Sequence, residues 1–172
     1  PMILFSAKSL ISLKCRTLRV PRCPSIILLS LQSLDLAYVD IDEHMIHHLI
    51  RSCPLKKLWL YGCTGINNLS IPNCSNLELL GVHATIPPYA GSIQVEPSSI
   101  QHFSYCGYRL SFNNFDPWWP LNFILASKRN LSVLQFSFVR ITDNVVDKLV
   151  YELPSIKIMS ITDCKMLKTI SI

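Results

Sequence analysis

One short apolar phrase recurs seven times along this chain: a leucine-like residue, two variable positions, a second leucine-like residue, one variable position, and a third. It is carried by Leu10/Leu13/Cys15, Leu31/Leu34/Leu36, Leu55/Leu58/Leu60, Leu77/Leu80/Val82, Ile100/Phe103/Tyr105, Leu131/Leu134/Phe136 and Ile156/Met159/Ile161. Successive phrases start 21, 24, 22, 23, 31 and 25 residues apart. The last two apolar residues of each phrase alternate with a variable one, which is the period of a strand with one buried side. A unit this short cannot bury its own apolar row and must stack against copies of itself.

A phrase of this form at a period in the twenties is the signature of leucine-rich repeats. The expected fold class is α/β: a leucine-rich-repeat solenoid with a curved parallel sheet of about seven repeats. Residues 1–172 form a single domain in this reading. Neither end shows a polar capping repeat, which solenoids need, so the expectation is a fragment of a longer array. Alternation puts Leu58 and Leu60 in the core and Lys57, Trp59 and Tyr61 on the concave surface. The same rule adds Asp35, Ala37, Gly81, His83, His102, Ser104, Cys106, Gln135, Ser137, Ser160 and Thr162 to that surface.

The returns between strands are of two kinds. Residues 41–52 read as a helix with Met45, Ile46, Leu49 and Ile50 on one face and His44, His47, His48 and Arg51 on the other. Asp42 is the expected N-cap and Pro54 the stop. Residues 141–153 repeat the design, with Val145, Val146, Leu149 and Val150 on one face, Thr142 or Asp143 as cap and Pro154 as stop. Leu31, Leu34, Val39, Ile41, Leu49 and Pro54 align without a gap on Leu131, Leu134, Val139, Ile141, Leu149 and Pro154, which argues for an internal duplication. Segments 69–71, 93–95 and 170–172 read as short convex strands. The long fifth unit carries an insertion over 112–120 with Phe115, Trp118 and Trp119. It reads either as an aromatic loop gripping a partner or, preferably, as an apolar flap routed by Pro117 and Pro120.

Hydrophobic residues make up 49% of the chain and charged residues 16%. Stacked repeats account for this apolar balance, because each buries its inner row on two neighbours. No run reaches the ~18 apolar residues of a membrane span, and no leader pattern is visible. Lys8, Lys14, Arg16, Arg19 and Arg22 all precede the first acid, Asp35; the remaining 11 basic residues face 11 acidic ones. The basic end could meet an anionic partner. The preferred readings are an edge strand defended by charge or a contact with an upstream domain, since no nucleic-acid pattern accompanies it. Neither nucleic acid nor membrane is expected as a partner.

The seven cysteines are odd in number and include no C-x-x-C pair, so no disulfide framework or zinc site is indicated. Cys63 and Cys164 fall three residues after the last apolar position of their phrases, where such repeats place a buried Asn or Cys. Cys23 and Cys53 precede Pro24 and Pro54 at repeat ends. Buried free thiols suit a reducing compartment, so the expected setting is cytoplasmic or nuclear. The sequons at Asn68, Asn73 and Asn130 then carry no glycan.

The sequence carries no motif that points to catalysis or metal binding. His44, His47 and His48 have ligand-like spacing, but Asp42 and Glu43 lie off their stripe, and a solvated helix face is the expectation. No nucleophile elbow, phosphate-binding loop or H-E-x-x-H occurs, and Cys106 and His102, four residues apart on one strand, are too distant to pair. No enzyme activity, metal or cofactor is expected.

From Val39 the chain reads V-D-I-D-E-H-M-I-H-H-L-I-R-S-C-P, then L-K-K-L-W-L-Y-G-C-T-G-I-N-N-L-S-I-P-N-C-S-N-L-E-L-L-G-V. Later come S-F-V-R-I-T-D-N-V-V-D-K-L-V-Y-E-L-P and I-T-D-C-K-M-L-K-T-I. This idiom, from Ser9 onward, resembles the repeat region of plant F-box/leucine-rich-repeat proteins, with a helix ending in S-C-P and a strand followed by G-C. The resemblance implies an intracellular domain that selects a protein substrate for a Skp1–cullin–F-box ubiquitin ligase. A Skp1-type adaptor is implied only where an F-box precedes the repeats, and these residues contain none; some relatives consist of repeats alone. The alternatives are the repeat domain of an intracellular plant immune receptor and an extracellular receptor ectodomain, whose L-x-G-x-I-P phrase is missing here. The expected partner is a protein, bound on the concave row at Lys57, Trp59, Tyr61, His83, His102 and Gln135, since aromatic residues beside charges are typical interface anchors.

Overall fold

The computed structural model describes residues 9–17, 30–66, 69–71, 76–84, 93–95, 99–107, 124, 128–164 and 166–168. The seven phrases become seven strands: β1 (Ser12–Arg16), β2 (Ser33–Ala37), β3 (Lys57–Tyr61), β5 (Leu79–His83), β7 (His102–Cys106), β8 (Val133–Ser137) and β9 (Ile158–Thr162). They lie side by side in chain order in one all-parallel open sheet. Register is kept across every pair, so that Leu13, Leu34, Leu58, Leu80, Phe103, Leu134 and Met159 form one ladder. Cys15, Leu36, Leu60, Val82, Tyr105, Phe136 and Ile161 form the next. A slip of one residue would turn both apolar ladders to the opposite face.

Backbone hydrogen bonds repeat with the side chains. Before each strand, one carbonyl of the preceding unit accepts two consecutive N–H groups: Gln32 O from Lys56 and Lys57, Lys56 O from Glu78 and Leu79, Glu78 O from Gln101 and His102. After each strand the next residue still donates to its neighbour, as Tyr38 N does to Tyr61 O (2.7 Å) and Gly62 N to His83 O (2.7 Å). That residue turns the chain away. Thr17, Tyr38, Gly62, Ala84, Phe138 and Asp163 all take a left-handed conformation, with φ between 48° and 57°. Five of these six carry a side chain, a cost that recurs at one place in the unit; Gly107, at the same place after β7, is not left-handed.

Among the described residues, α1 (Glu43–Ser52) and α2 (Asp143–Glu152) connect strands. Each starts two residues later than expected, because residues 41 and 141 sit in the core in extended connections, 3% and 1% exposed. Asp42 caps α1, its carboxylate accepting from His44 N at 2.8 Å. Thr142 holds the N-cap of α2 without a side-chain bond. Ile46, Leu49 and Ile50 of α1, with Val145, Val146 and Leu149 of α2, join one core with the two apolar ladders. Val150, expected on the buried face, is 62% exposed although its counterpart Ile50 is buried. Ile50 belongs to a helix that packs on the short strand β4 (Leu69–Ile71), whereas among the described residues no such strand accompanies α2.

The short returns β4 (Leu69–Ile71) and β6 (Ile93–Val95) form a parallel pair of their own, as expected for 69–71 and 93–95. Segment 170–172 and the insertion at 112–120 lie outside the described residues. Cys63 is fully buried and its thiol donates to Leu36 O at 3.4 Å, which satisfies a carbonyl of the preceding unit. Cys164, expected to match it, is only half-buried beside the edge strand β9. The described cysteines are all free thiols. Among the described residues, no helix is long and apolar enough to cross a membrane.

Candidate functional site

Parallel sheets are ordinarily covered on both faces, because helical connections pack against each side. Here the apolar ladders, α1 and α2 occupy one side. The other is formed by three ladders of variable residues. The first runs Ser12, Ser33, Lys57, Leu79, His102, Val133, Ile158; the middle runs Lys14, Asp35, Trp59, Gly81, Ser104, Gln135, Ser160. The last runs Arg16, Ala37, Tyr61, His83, Cys106, Ser137, Thr162. All six residues singled out from the sequence stand on this open face.

The structure joins five of them into one connected group. The Trp59 indole lies across the adjacent strand at Gly81, where a Cβ would sit only 2.0 Å from Cε3. That close approach requires glycine. Trp59 meets the imidazoles of His83 and His102 edge-on, with centroids 5.4 and 6.3 Å apart, a favoured aromatic geometry. His102 Nε2 lies 3.2 Å from Gln135 Oε1, within hydrogen-bonding distance. His83 Nε2 lies 2.9 Å from Ser104 Oγ. Tyr61 sits edge-on between His83 (6.0 Å) and Tyr38 (5.0 Å). Lys57, the sixth, is exposed on the first ladder of the same strand and touches none of these rings in the described contacts.

Three positions expected on the surface are covered. Gly81 is buried under the indole, Ser104 is 5% exposed beside His83, and Ala37 is 7% exposed beside Tyr61 of β3 and Tyr38, which follows β2. Large side chains of one ladder shield small neighbours, which alternation along a single strand does not reveal. Burial lowers the His83 pKa below its ordinary value, because a charged imidazole would lose hydration there; at neutral pH the ring is uncharged. A hydroxyl as covered as Ser104 is held by His83 rather than presented to a substrate.

At the β1–β3 end these groups wall a cleft of about 420 Å³ lined by Arg16, Asp35, Ala37, Tyr38, Trp59, Tyr61 and His83. Its size falls within the ~300–1,000 Å³ of typical ligand sites. Asp35 is paired with Lys14, Nζ to Oδ2 at 2.7 Å. Sequence reasoning placed Asp35 and Ala37 on this face without assigning them a contact, named Arg16 only as part of the basic end, and missed Tyr38. Alternation would have brought Arg16 in. Tyr38 follows its strand in the left-handed conformation (φ 56°), so strand alternation does not reach it. The available signal was Gly62 at the matching place in the next unit: a Cβ there would sit 2.8 Å from Tyr38 Cδ1.

Among the described residues no three His, Cys, Asp or Glu side chains are grouped to hold a metal ion. His44 and His48 are exposed on α1, with His48 Nδ1 3.4 Å from Ser52 Oγ. No protein-family model, curated protein or solved structure matches this chain.

Proposed function

We propose that this chain is a protein-binding scaffold of the leucine-rich-repeat class, whose open sheet face selects a protein partner. In this proposal it serves as the substrate-recognition repeat region of an F-box/leucine-rich-repeat protein of the plant type, acting for a Skp1–cullin–F-box ubiquitin ligase, or as a repeat-only relative. A cytoplasmic or nuclear setting, in which thiols stay reduced, goes with this reading. The observation that carries it is a parallel-sheet face that no element among the described residues covers, bearing the interlocked Trp59, Tyr61, His83, His102 and Gln135 group. Large aromatic side chains held rigid before binding lose little entropy on contact, which is how interface anchors gain affinity.

The test uses the chain as bait against a partner recovered by co-purification and then produced separately. Trp59→Ala and Tyr61→Ala each remove an anchor worth about 2 kcal/mol, or roughly thirtyfold in Kd. The melting temperature should fall by no more than ~8 °C, with cooperative unfolding retained. Undiminished binding by both variants, or loss of folding in both, would sink the proposal.

A further inference from the structure

We propose that the cleft at the β1–β3 end of the open face receives an aromatic side chain from an acidic peptide segment, with Arg16 pairing a carboxylate beside that ring. This rests on the open face being the protein-binding surface and adds the chemistry of what it binds.

Shape supports the aromatic part. A space of about 420 Å³ suits one large side chain with its flanking backbone. Its walls are rings set in advance: Trp59 lies over Gly81, Tyr38 lies over Gly62, and Tyr61 is wedged edge-on between Tyr38 and His83. An incoming ring finds faces and edges already arranged for offset or edge-to-face contact.

Charge supports the acidic part. Two ionic groups line the cleft, Arg16 and Asp35. The Asp35 carboxylate is met by Lys14 at 2.7 Å, and burial keeps His83 uncharged at neutral pH. Arg16 is exposed and has no ion pair or side-chain hydrogen bond among the described residues. Strands β1 to β3 therefore present Lys14, Arg16 and Lys57 against Asp35 alone on this face, and the whole chain carries a formal +5. A guanidinium on the rim of an aromatic cleft offers a planar fork of donors that matches a carboxylate. A basic segment would be repelled, and a neutral one would cover Arg16 without replacing its water.

The experiment is fluorescence anisotropy with the full chain and labelled short peptides. One carries a single tryptophan flanked by Asp and Glu. Comparison peptides replace the flanks by Asn and Gln, replace them by Lys, or replace the tryptophan by alanine. The acidic tryptophan peptide should bind most tightly. Its affinity should fall about three- to tenfold with neutral flanks, in line with exposed to partly desolvated ion pairs. Arg16→Gln, an exposed change that leaves the melting temperature unaltered, should erase the difference between acidic and neutral flanks. Equal binding of acidic and neutral peptides, both weakened by Trp59→Ala, would overturn the acidic preference and leave the interaction face standing. Failure of every peptide overturns the proposal. The wider reading falls with it only if Trp59→Ala and Tyr61→Ala also retain full capture of the separately produced partner.

Discussion

Alanine in place of Gly81 should loosen the group on the open face from its centre. In an ordinary strand this change gains about 0.5–1 kcal/mol by restricting the unfolded chain. Here the new Cβ would sit 2.0, 2.3 and 2.7 Å from Trp59 Cε3, Cζ3 and Cδ2, far inside the ~3.5–4.0 Å of carbon–carbon contact. The three close atoms belong to a rigid ring, so the indole must swing off the strand. It then gives up its edge contacts with His83 and His102, at 5.4 and 6.3 Å, each worth about 0.5–1.5 kcal/mol. After the strand gain is subtracted, the net loss is about 1 kcal/mol, and the melting temperature falls by ~2–4 °C. The direct readout is ¹⁹F NMR of chain labelled with 5-fluorotryptophan. Three tryptophans give three resonances, and the one absent from Trp59→Phe is assigned to Trp59. That resonance alone should shift in Gly81→Ala. A raised melting temperature with an unmoved Trp59 resonance would refute the placement of the ring, and with it the connected site.

Three further outcomes are expected. Leu134→Ala, at a fully buried position of the inner ladder, should cost about 2–5 kcal/mol in urea unfolding; a loss under ~1 kcal/mol would mean the ladder is not core. Asp42→Ala removes the 2.8 Å bond to His44 N and should cost about 1 kcal/mol, whereas Thr142→Ala, with no such bond, should cost only a few tenths. Equal losses would contradict the capping difference. Because the folded-state pKa of His83 is lowered by burial, the unfolded chain takes up that proton more readily, and stability rises with pH in the window between the two values. The contribution is complete above the ordinary histidine value near 6.5 and is lost as pH falls below it toward the folded value. His83→Asn should flatten the difference in melting temperature between pH 7.5 and pH 5.5; an unchanged difference would assign the effect to other groups.

Much of the core was legible because period and burial are linked along one strand. The phrase named both inner ladders, and the hundred-residue correspondence between the two helical units named Val39 and Val139, Ile41 and Ile141, and Leu49 and Leu149, all buried. The same correspondence failed at Ile50 and Val150, since a helical residue is buried by whatever lies beside it and the two helices have different neighbours. For the site, alternation placed Trp59, Tyr61, His83, His102 and Gln135 on one face. It could not show that Trp59 rests on Gly81 or that His83 holds Ser104, because these contacts cross between strands.

The order of residues along the chain by itself determined which side chains leave water and which face of each strand they take. A local two-residue period and a recurring spacing carry that information without reference to any distant part. Tertiary structure decided lateral neighbourhood: which ring covers which glycine, which carboxylate meets which ammonium, and where the left-handed turns set Tyr38 against Tyr61. Those relations arise from parallel pairing in register between residues more than twenty positions apart, so they exist only once the strands are side by side.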